Sequence, residues 1–249
     1  MTENRLQIFE PELGVGPGPE WLAEAMDDYR IHVLQQAYPC NFGRRSLEKR
    51  ELYMTWVDPD RPDTLPGDVA EFMEITQTDR LGREPLAIFV KPTPERHTHE
   101  EHDEVFWSLL QYLLDHDDRP WPEDIPEEPD EEGWMFSFHG VEMFVFALVP
   151  THRLRRSRYA GPALVIMLLP KSVFVGVEVG TPAGNAARLG IRKRLAEWDQ
   201  PIEFHPSVGV YDVMSTEEWR QYFLTEDSSD MHETCPLAHH GARVMQEQT

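Results

Sequence analysis

The densest group of chemically capable side chains lies in Pro150–Arg158 (PTHRLRRSR), with one histidine and four arginines. Imidazole can ligate a metal or move a proton, and guanidinium groups bind anions through charge-assisted, often bidentate hydrogen bonds. The segment follows the apolar run Met143–Val149 in a chain of formal net charge -22. This pattern predicts an anion site, and a metal-centred anionic cofactor such as heme would use both residue types. The alternative is a solvated turn whose arginines pair with the protein's own carboxylates.

A second cluster contains His97, His99 and Glu104. Their H-x-H-x4-E spacing matches the metal ligands of cupins, where imidazole and carboxylate groups bind a transition metal. Cupin ligands lie on β-strands, however, whereas Glu100–Leu114 has its apolar residues at helical spacing. The alternative is the polar start of a helix, where acidic side chains are favoured by the helix dipole.

Two further groups are possible metal ligands. Cys40 and Cys235 each adjoin a proline, and a thiolate is a soft ligand known from heme proteins, although free cysteines are more often small buried apolar residues. His205 lies in a loop with Asp212, where the pair could bind a substrate amine or the histidine could serve as an axial ligand. Phosphate-binding and nucleophile motifs (G-x-x-x-x-G-K-[ST], G-x-G-x-x-G, G-x-S-x-G, C-x-x-C) are lacking from the sequence.

The composition disfavours several classes of partner. Forty-five acidic against 23 basic residues argue against nucleic acid and against an anionic membrane surface. Part of this acidity is local, since Asp115–Glu132 contains ten acids, one base and four prolines. Two cysteines do not make a disulfide framework, and neither a signal-peptide core nor an apolar run of membrane-spanning length is visible. We therefore expect a soluble, cytoplasmic protein.

The elements that would position these groups alternate irregularly. Helices are predicted over 21–37, 100–114 and 180–199, and a capping pattern at Ser215 or Thr216 with Glu218 starts another. Strands are predicted over 52–57, 86–90 and 163–169, with a hairpin formed by 134–138 and 143–149. Such a mixture predicts an α+β fold with a central, mostly antiparallel sheet flanked by helices. We expect a flexible arm over 1–19, a single domain over 20–240 with an acidic, proline-rich loop at 115–133, and a tail over 241–249.

Several short motifs, taken in order, resemble those of one family. They are the Y-P-C-x-F-G of Tyr38–Gly43, the F-W-x-L-L-Q of Phe106–Gln111, the W-P-x-x-I-P of Trp121–Pro126, the W-x-F-x-F-x-G of Trp134–Gly140, the P-x-H-x-x-R-x-S-R of Pro150–Arg158, and then Ile191–Arg194, His205-Pro206, Glu218–Leu224 and Cys235–Leu237. The chain is similar, over roughly residues 35–240, to the YqcI/YcgG family, whose relatives include heme-dependent N-oxygenases and N-hydroxylases of the guanitoxin-pathway type. It departs at Leu237, where phenylalanine is expected.

The resemblance implies an iron-containing heme b and an oxidoreductase of natural-product biosynthesis. Such a monooxygenase uses O2 or peroxide and an electron donor to oxidise an amine or guanidine nitrogen of an amino-acid-like substrate. The resemblance favours His152 as the axial ligand, with His205 and Cys40 as alternatives. Two or three of Arg153, Arg155, Arg156 and Arg158 would bind the propionates, and Asp212 and Glu218 are candidate acids for a cationic substrate.

Three other functions are compatible with the sequence. The protein could bind heme without catalysis, as a sensor or carrier. It could be a cupin-like non-heme metalloenzyme using His97, His99 and Glu104, which requires strands where a helix is predicted at 100–114. It could also be an interaction module that works through the acidic loop 115–132 and holds no cofactor.

Overall fold

A computed structural model describes residues 5–10, 18–78, 84–178, 180–209 and 217–238. Within these ranges, six strands form one sheet in the order β1-β2-β3-β6-β5-β4. Their bounds are β1 Gln7–Ile8, β2 Tyr53–Val57, β3 Leu86–Val90, β4 Phe136–Phe138, β5 Val141–Leu148 and β6 Val165–Pro170. Every neighbouring pair is antiparallel except β2 and β3, which are parallel. The predicted α+β class with a mostly antiparallel sheet is confirmed.

The helices among the described residues are α1 Glu20–Val33, α2 Asn41–Glu48, α3 Leu65–Thr78, α4 His99–Asp115 and α5 Pro182–Trp198. Local chemistry explains the start of α4: the Thr98 side chain accepts the Glu101 N–H, and the Glu101 carboxylate accepts the Thr98 N–H. This reciprocal capping box satisfies two donors that a helix leaves unpaired. At the start of α5, Thr181 accepts the Gly184 N–H and Pro182 takes the first helical position, where a missing N–H costs nothing.

The sheet separates two apolar cores. On one face, α3 and α4 pack Phe72, Phe106 and Leu110 against Ile88 and Val145. On the other face, α1 packs Met26 and Tyr29 against Phe89 and Met167, with Trp198 of α5 beside them. Period-two alternation along β3 and β6 assigns neighbouring residues to opposite cores, so both faces of the central strands are buried.

Three segments differ from the expectations. The composition of Tyr38–Gly43 indicated a turn, yet α2 begins at Asn41 because the Cys40 sulfur accepts the Gly43 N–H at 3.3 Å and caps the helix. No element was assigned to 58–85, where α3 lies. Part of the proposed flexible arm is folded, since β1 pairs with β2 and Phe9 is only 1% exposed. Burial of this aromatic ring in the α1 core explains why the segment is ordered.

The end of the chain is described in part. Instead of a longer helix from Ser215, the described residues contain a short 3₁₀ helix at Glu218–Gln221. Ser215, Thr216 and the tail 241–249 lie outside the described residues. Among the residues that are described, no helix is both long enough and apolar enough to cross a membrane.

Candidate functional site

A largely apolar cavity of about 270 Å³ lies on the α1 side of the sheet, over β5 and β6 and beneath α5. Phe144, Phe146 and Leu169 form its floor, and α5 covers it with Ile191 and Leu195. Gly184 permits α5 to begin close to the backbone segment that precedes it, because a Cβ at this position would lie 2.1 Å from the Glu178 carbonyl oxygen. An apolar cavity with a few convergent polar groups is the usual form of a cofactor or ligand site.

His205 is the one described histidine on the wall of this cavity. It is 2% exposed, and its Nε2 forms no well-aligned hydrogen bond among the described residues, although the Ser229 backbone lies close enough to raise its pKa somewhat against the effect of burial. Its Nδ1 accepts a long hydrogen bond of 3.2 Å from the Ser207 N–H. Burial and the nearby Arg155 lower the pKa of His205, so the ring is neutral at neutral pH. A neutral imidazole with an unused nitrogen on an apolar wall has the chemistry of a metal ligand.

Arg155 and Arg158 also line the cavity, at the turn that follows β5. Arg155 is fixed by hydrogen bonds to the Thr225 carbonyl at 2.7 Å and the Ser228 hydroxyl at 2.9 Å. Arg158 lies 4.7 Å from the Phe146 ring, and its Nη1 is buried without a hydrogen-bond partner among the described residues. Burial and the neighbouring Arg155 lower the pKa of Arg158 to about 10, which leaves it charged at neutral pH. Its Nη2 donates to the Gln221 carbonyl at 3.4 Å, so one buried donor of this cation stays unused, and such a donor favours an anionic ligand.

Two acidic side chains, both remote in sequence, hold this turn in place. Glu226 accepts the backbone N–H groups of Arg153, Leu154 and Arg155. Asp199, at the end of α5 and on the cavity wall, accepts both the N–H and the hydroxyl of Ser157. The carboxylates therefore bind the backbone and a hydroxyl group of the turn. Among the described residues, neither forms an ion pair with a guanidinium group of the cluster.

Arg153 and Arg156 lie outside the cavity wall. Both are exposed; Arg153 donates to the Pro150 carbonyl at 3.0 Å. Arg156 donates to the Trp198 carbonyl and lies 4.8 Å from the Trp198 ring. The structure thus brings two of the four predicted propionate ligands to the cavity, because the 3₁₀ turn at Arg156–Arg158 directs neighbouring side chains to different sides.

His152 is also outside the described wall of the cavity, although its side chain is fully buried. Its ring packs on His99 with 5.0 Å between centroids, and its Nδ1 lies 3.5 Å from Glu226 Oε1. Neither ring nitrogen has a well-formed hydrogen bond among the described residues. Burial lowers the pKa of His152 to about 4. At this position His152 contacts His99 of α4 and Glu226, and it does not line the cavity.

Cys40 lines the cavity, but its sulfur already caps α2. Burial raises the pKa of the Cys40 thiol, which keeps it protonated at neutral pH, whereas a metal ligand must be a thiolate. Cys235 packs against the core of α3 and α4, and Cys40 against that of α1. Both thiols are free, and the sheet lies between the cores to which they belong.

Glu218 is buried one turn from Gln221, a residue of the cavity wall. Its Oε1 has no hydrogen-bond partner among the described residues, and burial together with Glu142 raises the pKa of Glu218 to about 8. It is therefore a carboxylic acid at neutral pH, able to hold and release a proton. Asp212, the second candidate acid, lies outside the described residues.

The cupin-like alternative is contradicted by the helix α4. His99 and Glu104 lie in this helix, and His97 precedes it, so the strands that a cupin site requires are lacking here. Both ring nitrogens of His99 are engaged, with the Thr151 hydroxyl at 2.8 Å and the Leu224 carbonyl at 3.0 Å. The capping box of Thr98 and Glu101 defines this segment as the start of a helix.

The sequence model described as "YqcI/YcgG family" matches residues 29–238. The chain belongs to the YqcI/YcgG family. The family match spans both the cavity and the turn at 150–158, so the resemblance found from short motifs is confirmed.

Three relatives of this YqcI/YcgG chain align over most of their length. "Uncharacterized protein YcgG" of Bacillus subtilis is 31% identical over 96% of this chain and 94% of its own. "Uncharacterized protein YqcI" of the same organism is 30% identical, over 88% of both chains. "Putative N(omega)-hydroxy-L-arginine synthase DcsA" of Streptomyces lavendulae is 27% identical over 89% of this chain and 86% of its own. The comparison with solved structures gave no match.

Several residues on the wall of this YqcI/YcgG cavity were not predicted from the sequence to be site residues. Arg188 and Arg192 of α5 line the wall, and their spacing of four places both on one helix face. That spacing was a usable signal, since the basic turn was visible in the sequence. Phe144 and Phe146 gave no distinct signal, because alternating aromatic residues also occur in strands without a ligand site.

Proposed function

We propose that this protein is a heme-dependent N-oxygenase that oxidises an amine or guanidine nitrogen of an amino-acid-like substrate. One observation supports this most strongly: an apolar cavity has on its wall a buried imidazole with an unused nitrogen and a buried guanidinium with an unused donor. The printed name of the DcsA relative describes synthesis of a hydroxylated arginine, which favours N-oxygenation as the reaction class.

The residue types on the cavity wall suit heme b, although a cavity of about 270 Å³ would have to widen to admit it. Phe144, Phe146 and Leu169 offer an apolar surface for its ring, and Arg155 and Arg158 would pair with its propionates. We propose that His205 would hold the iron through its imidazole, in preference to His152, which the cavity wall does not include. Ligation through Nε2 requires the His205 proton on Nδ1, so the long bond from Ser207 would have to give way.

When bound, heme would supply the activation of O2 or peroxide. N-hydroxylation with O2 places one oxygen atom in an N–H bond of the substrate. The second oxygen leaves as water and takes up two electrons from a donor and two protons. Glu218 is a candidate source of one proton, because it is protonated at neutral pH and lies one turn from the cavity wall. The apolar floor would exclude water from the reacting nitrogen.

The first test is the visible absorption spectrum of the full chain expressed with a heme precursor. We expect a Soret band that shifts on reduction and on addition of CO. His205→Ala should lose the band or shift it, whereas His152→Ala, if folded by circular dichroism, should retain the wild-type position. Cys40→Ser is the matched control for thiolate ligation and should leave the band in place. Loss of the band in His152→Ala with retention in His205→Ala would overturn the ligand assignment.

A second measurement separates the enzyme from a heme carrier. Loaded protein is supplied with an electron donor and O2, or with peroxide, and offered L-arginine, lysine and other amines. Consumption of oxidant coupled to a hydroxylated product supports the N-oxygenase. A heme-loaded protein without turnover on any of these compounds favours a sensor or carrier, and protein that takes up no heme rejects the proposal.

A further inference from the structure

On the opposite face of the sheet from the cavity, three candidate metal ligands converge. Asp117 and Asp118 follow the end of α4, and His139 lies in the turn between β4 and β5. One ligand atom from each lies within 4.8 Å of the others. Groups of acidic residues are common on protein surfaces without a bound metal ion. The surroundings of the histidine are therefore the evidence that bears on a metal site here.

The His139 imidazole is 7% exposed, although it lies in a hairpin turn. Its Nδ1 is buried and has no hydrogen-bond partner among the described residues. The same nitrogen lies 3.2 Å from Asp118 Oδ1, at an angle that forms no hydrogen bond. A buried, unpartnered imidazole nitrogen that lies beside carboxylate oxygens is a donor arrangement that suits a divalent metal ion.

Asp117 is held in position for the same site. Its Oδ2 accepts the His139 backbone N–H at 2.8 Å, and its Oδ1 accepts the Arg119 N–H at 2.9 Å. A carboxylate has about four lone-pair positions, so both oxygens retain capacity for a metal ion. The competing cation is Arg119, whose Nε lies 3.8 Å from Asp118 Oδ1, a contact between exposed groups that contributes little.

Glu74 of α3 adds a partner on the far side of the ring. Its Oε1 lies 3.6 Å from Nε2 of His139, the nitrogen that would not bind the metal. Histidine ligands generally donate their second N–H to a carboxylate or carbonyl, which orients the ring and raises its basicity. Glu74, His139 and the aspartates are thus placed as the partners are in a carboxylate–histidine–metal arrangement.

We propose that Asp117, Asp118 and His139 bind a divalent transition metal of the Zn²⁺ class, with Glu74 orienting the histidine. Nitrogen and carboxylate oxygen together suit Zn²⁺ better than Ca²⁺ or Mg²⁺, which take oxygen ligands alone. The ion would join α4, the β4–β5 turn and α3, and so brace the start of the acidic segment 115–132. This site is independent of the proposed heme chemistry.

The turn itself offers a clean test variant. His139 and Gly140 both have positive φ, 54° and 73°, in a two-residue hairpin connection. Asn-Gly is the preferred pair for this turn, and histidine is not. His139→Asn therefore removes the ligand while keeping or improving the hairpin, so a loss of metal binding would not reflect misfolding.

The experiment is titration of the full metal-free chain with Zn²⁺ against a chelating dye, with Ca²⁺ and Mg²⁺ in parallel. We expect one saturable Zn²⁺ step in wild type that is lost in His139→Asn and in Asp118→Asn. The matched control His97→Asn removes an exposed histidine outside the cluster and should retain the step. Glu74→Gln should weaken it by at least about 10-fold. Zn²⁺ should also raise the Tm of wild type but not of His139→Asn.

Two results would overturn the site. The first is a Zn²⁺ titration of His139→Asn that matches wild type, which would assign any binding to other histidines. The second is equal binding of Ca²⁺ and Zn²⁺ that is insensitive to His139→Asn, which would reveal only a diffuse acidic surface. An unchanged affinity in Glu74→Gln would reject the orienting role of Glu74 alone.

Discussion

His152 and His205 are equally buried, at 2% exposure each, yet their surroundings differ. His152 lies between the His99 ring and Glu226, in a region where carboxylate, backbone N–H and carbonyl groups are engaged with one another. His205 lies on the wall of an apolar cavity beside an arginine with an unused donor. Burial and unpartnered ring nitrogens therefore do not separate the two histidines. They differ in that His205 lines the cavity and His152 does not.

The region around Glu226 is expected to contribute mainly to stability. Glu226→Ala removes the acceptor of three backbone N–H groups, so the free energy of unfolding should fall by about 3 kcal/mol, at about 1 kcal/mol net per hydrogen bond. Chemical denaturation at neutral pH measures the change. Glu123→Ala, in the exposed part of the acidic loop, is the control and should change little. If both variants unfold alike, the Glu226 contacts do not anchor the turn.

The region around His205 is expected to contribute mainly to ligand binding. If the proposed heme site is correct, Arg158→Ala should weaken heme binding by roughly 10- to 100-fold, since a charge-assisted hydrogen bond contributes about 1.5–3 kcal/mol. Arg153→Ala removes an exposed guanidinium five positions before Arg158 and outside the cavity wall, and it should leave affinity unchanged. Heme titration followed at the Soret band compares them. Equal losses would show that general positive charge, and not the cavity position, binds the cofactor.

The pH dependence of stability gives the third test, whose change per pH unit is the smallest of the three. Burial lowers the pKa of His152 from 6.5 to about 4, so between these values the unfolded chain binds more protons than the folded one. The stability contributed by the neutral ring is present above pH 6.5 and is lost as the pH falls toward 4, by up to about 1.4 kcal/mol per pH unit.

His152→Asn should flatten this slope, and His97→Asn, at an exposed position, should not. Glu226 acts in the same direction at lower pH. Burial would raise its pKa, but His152 and the backbone N–H groups of Arg153–Arg155 lower it overall, so its contribution is present above its ordinary pKa and is lost on further acidification. Denaturation at a series of pH values from 7 to 4 tests the His152 assignment, and parallel slopes in wild type and His152→Asn would contradict it.

Much of the fold could be predicted from the sequence because local patterns specify it. The apolar run 86–90 is β3, whose five residues are all buried, and the capping residues Thr98 and Glu101 define the start of α4. α2 was missed because a cysteine caps it and its eight residues include a glycine and two arginines, without an apolar stripe. The order of short motifs was sufficient for the YqcI/YcgG family, because motif order is a property of the sequence itself.

The local sequence places an imidazole and four arginines together in the basic turn at the end of a buried strand. Which of these side chains face the cavity was not predictable from that turn alone. That outcome depends on Glu226 and Asp199, which hold the turn from distant positions in the chain, and on α5, which covers the cavity opposite β5 and β6. Contacts between residues far apart in sequence leave no periodic pattern, so the sequence could not show that His205, and not His152, lines the cavity.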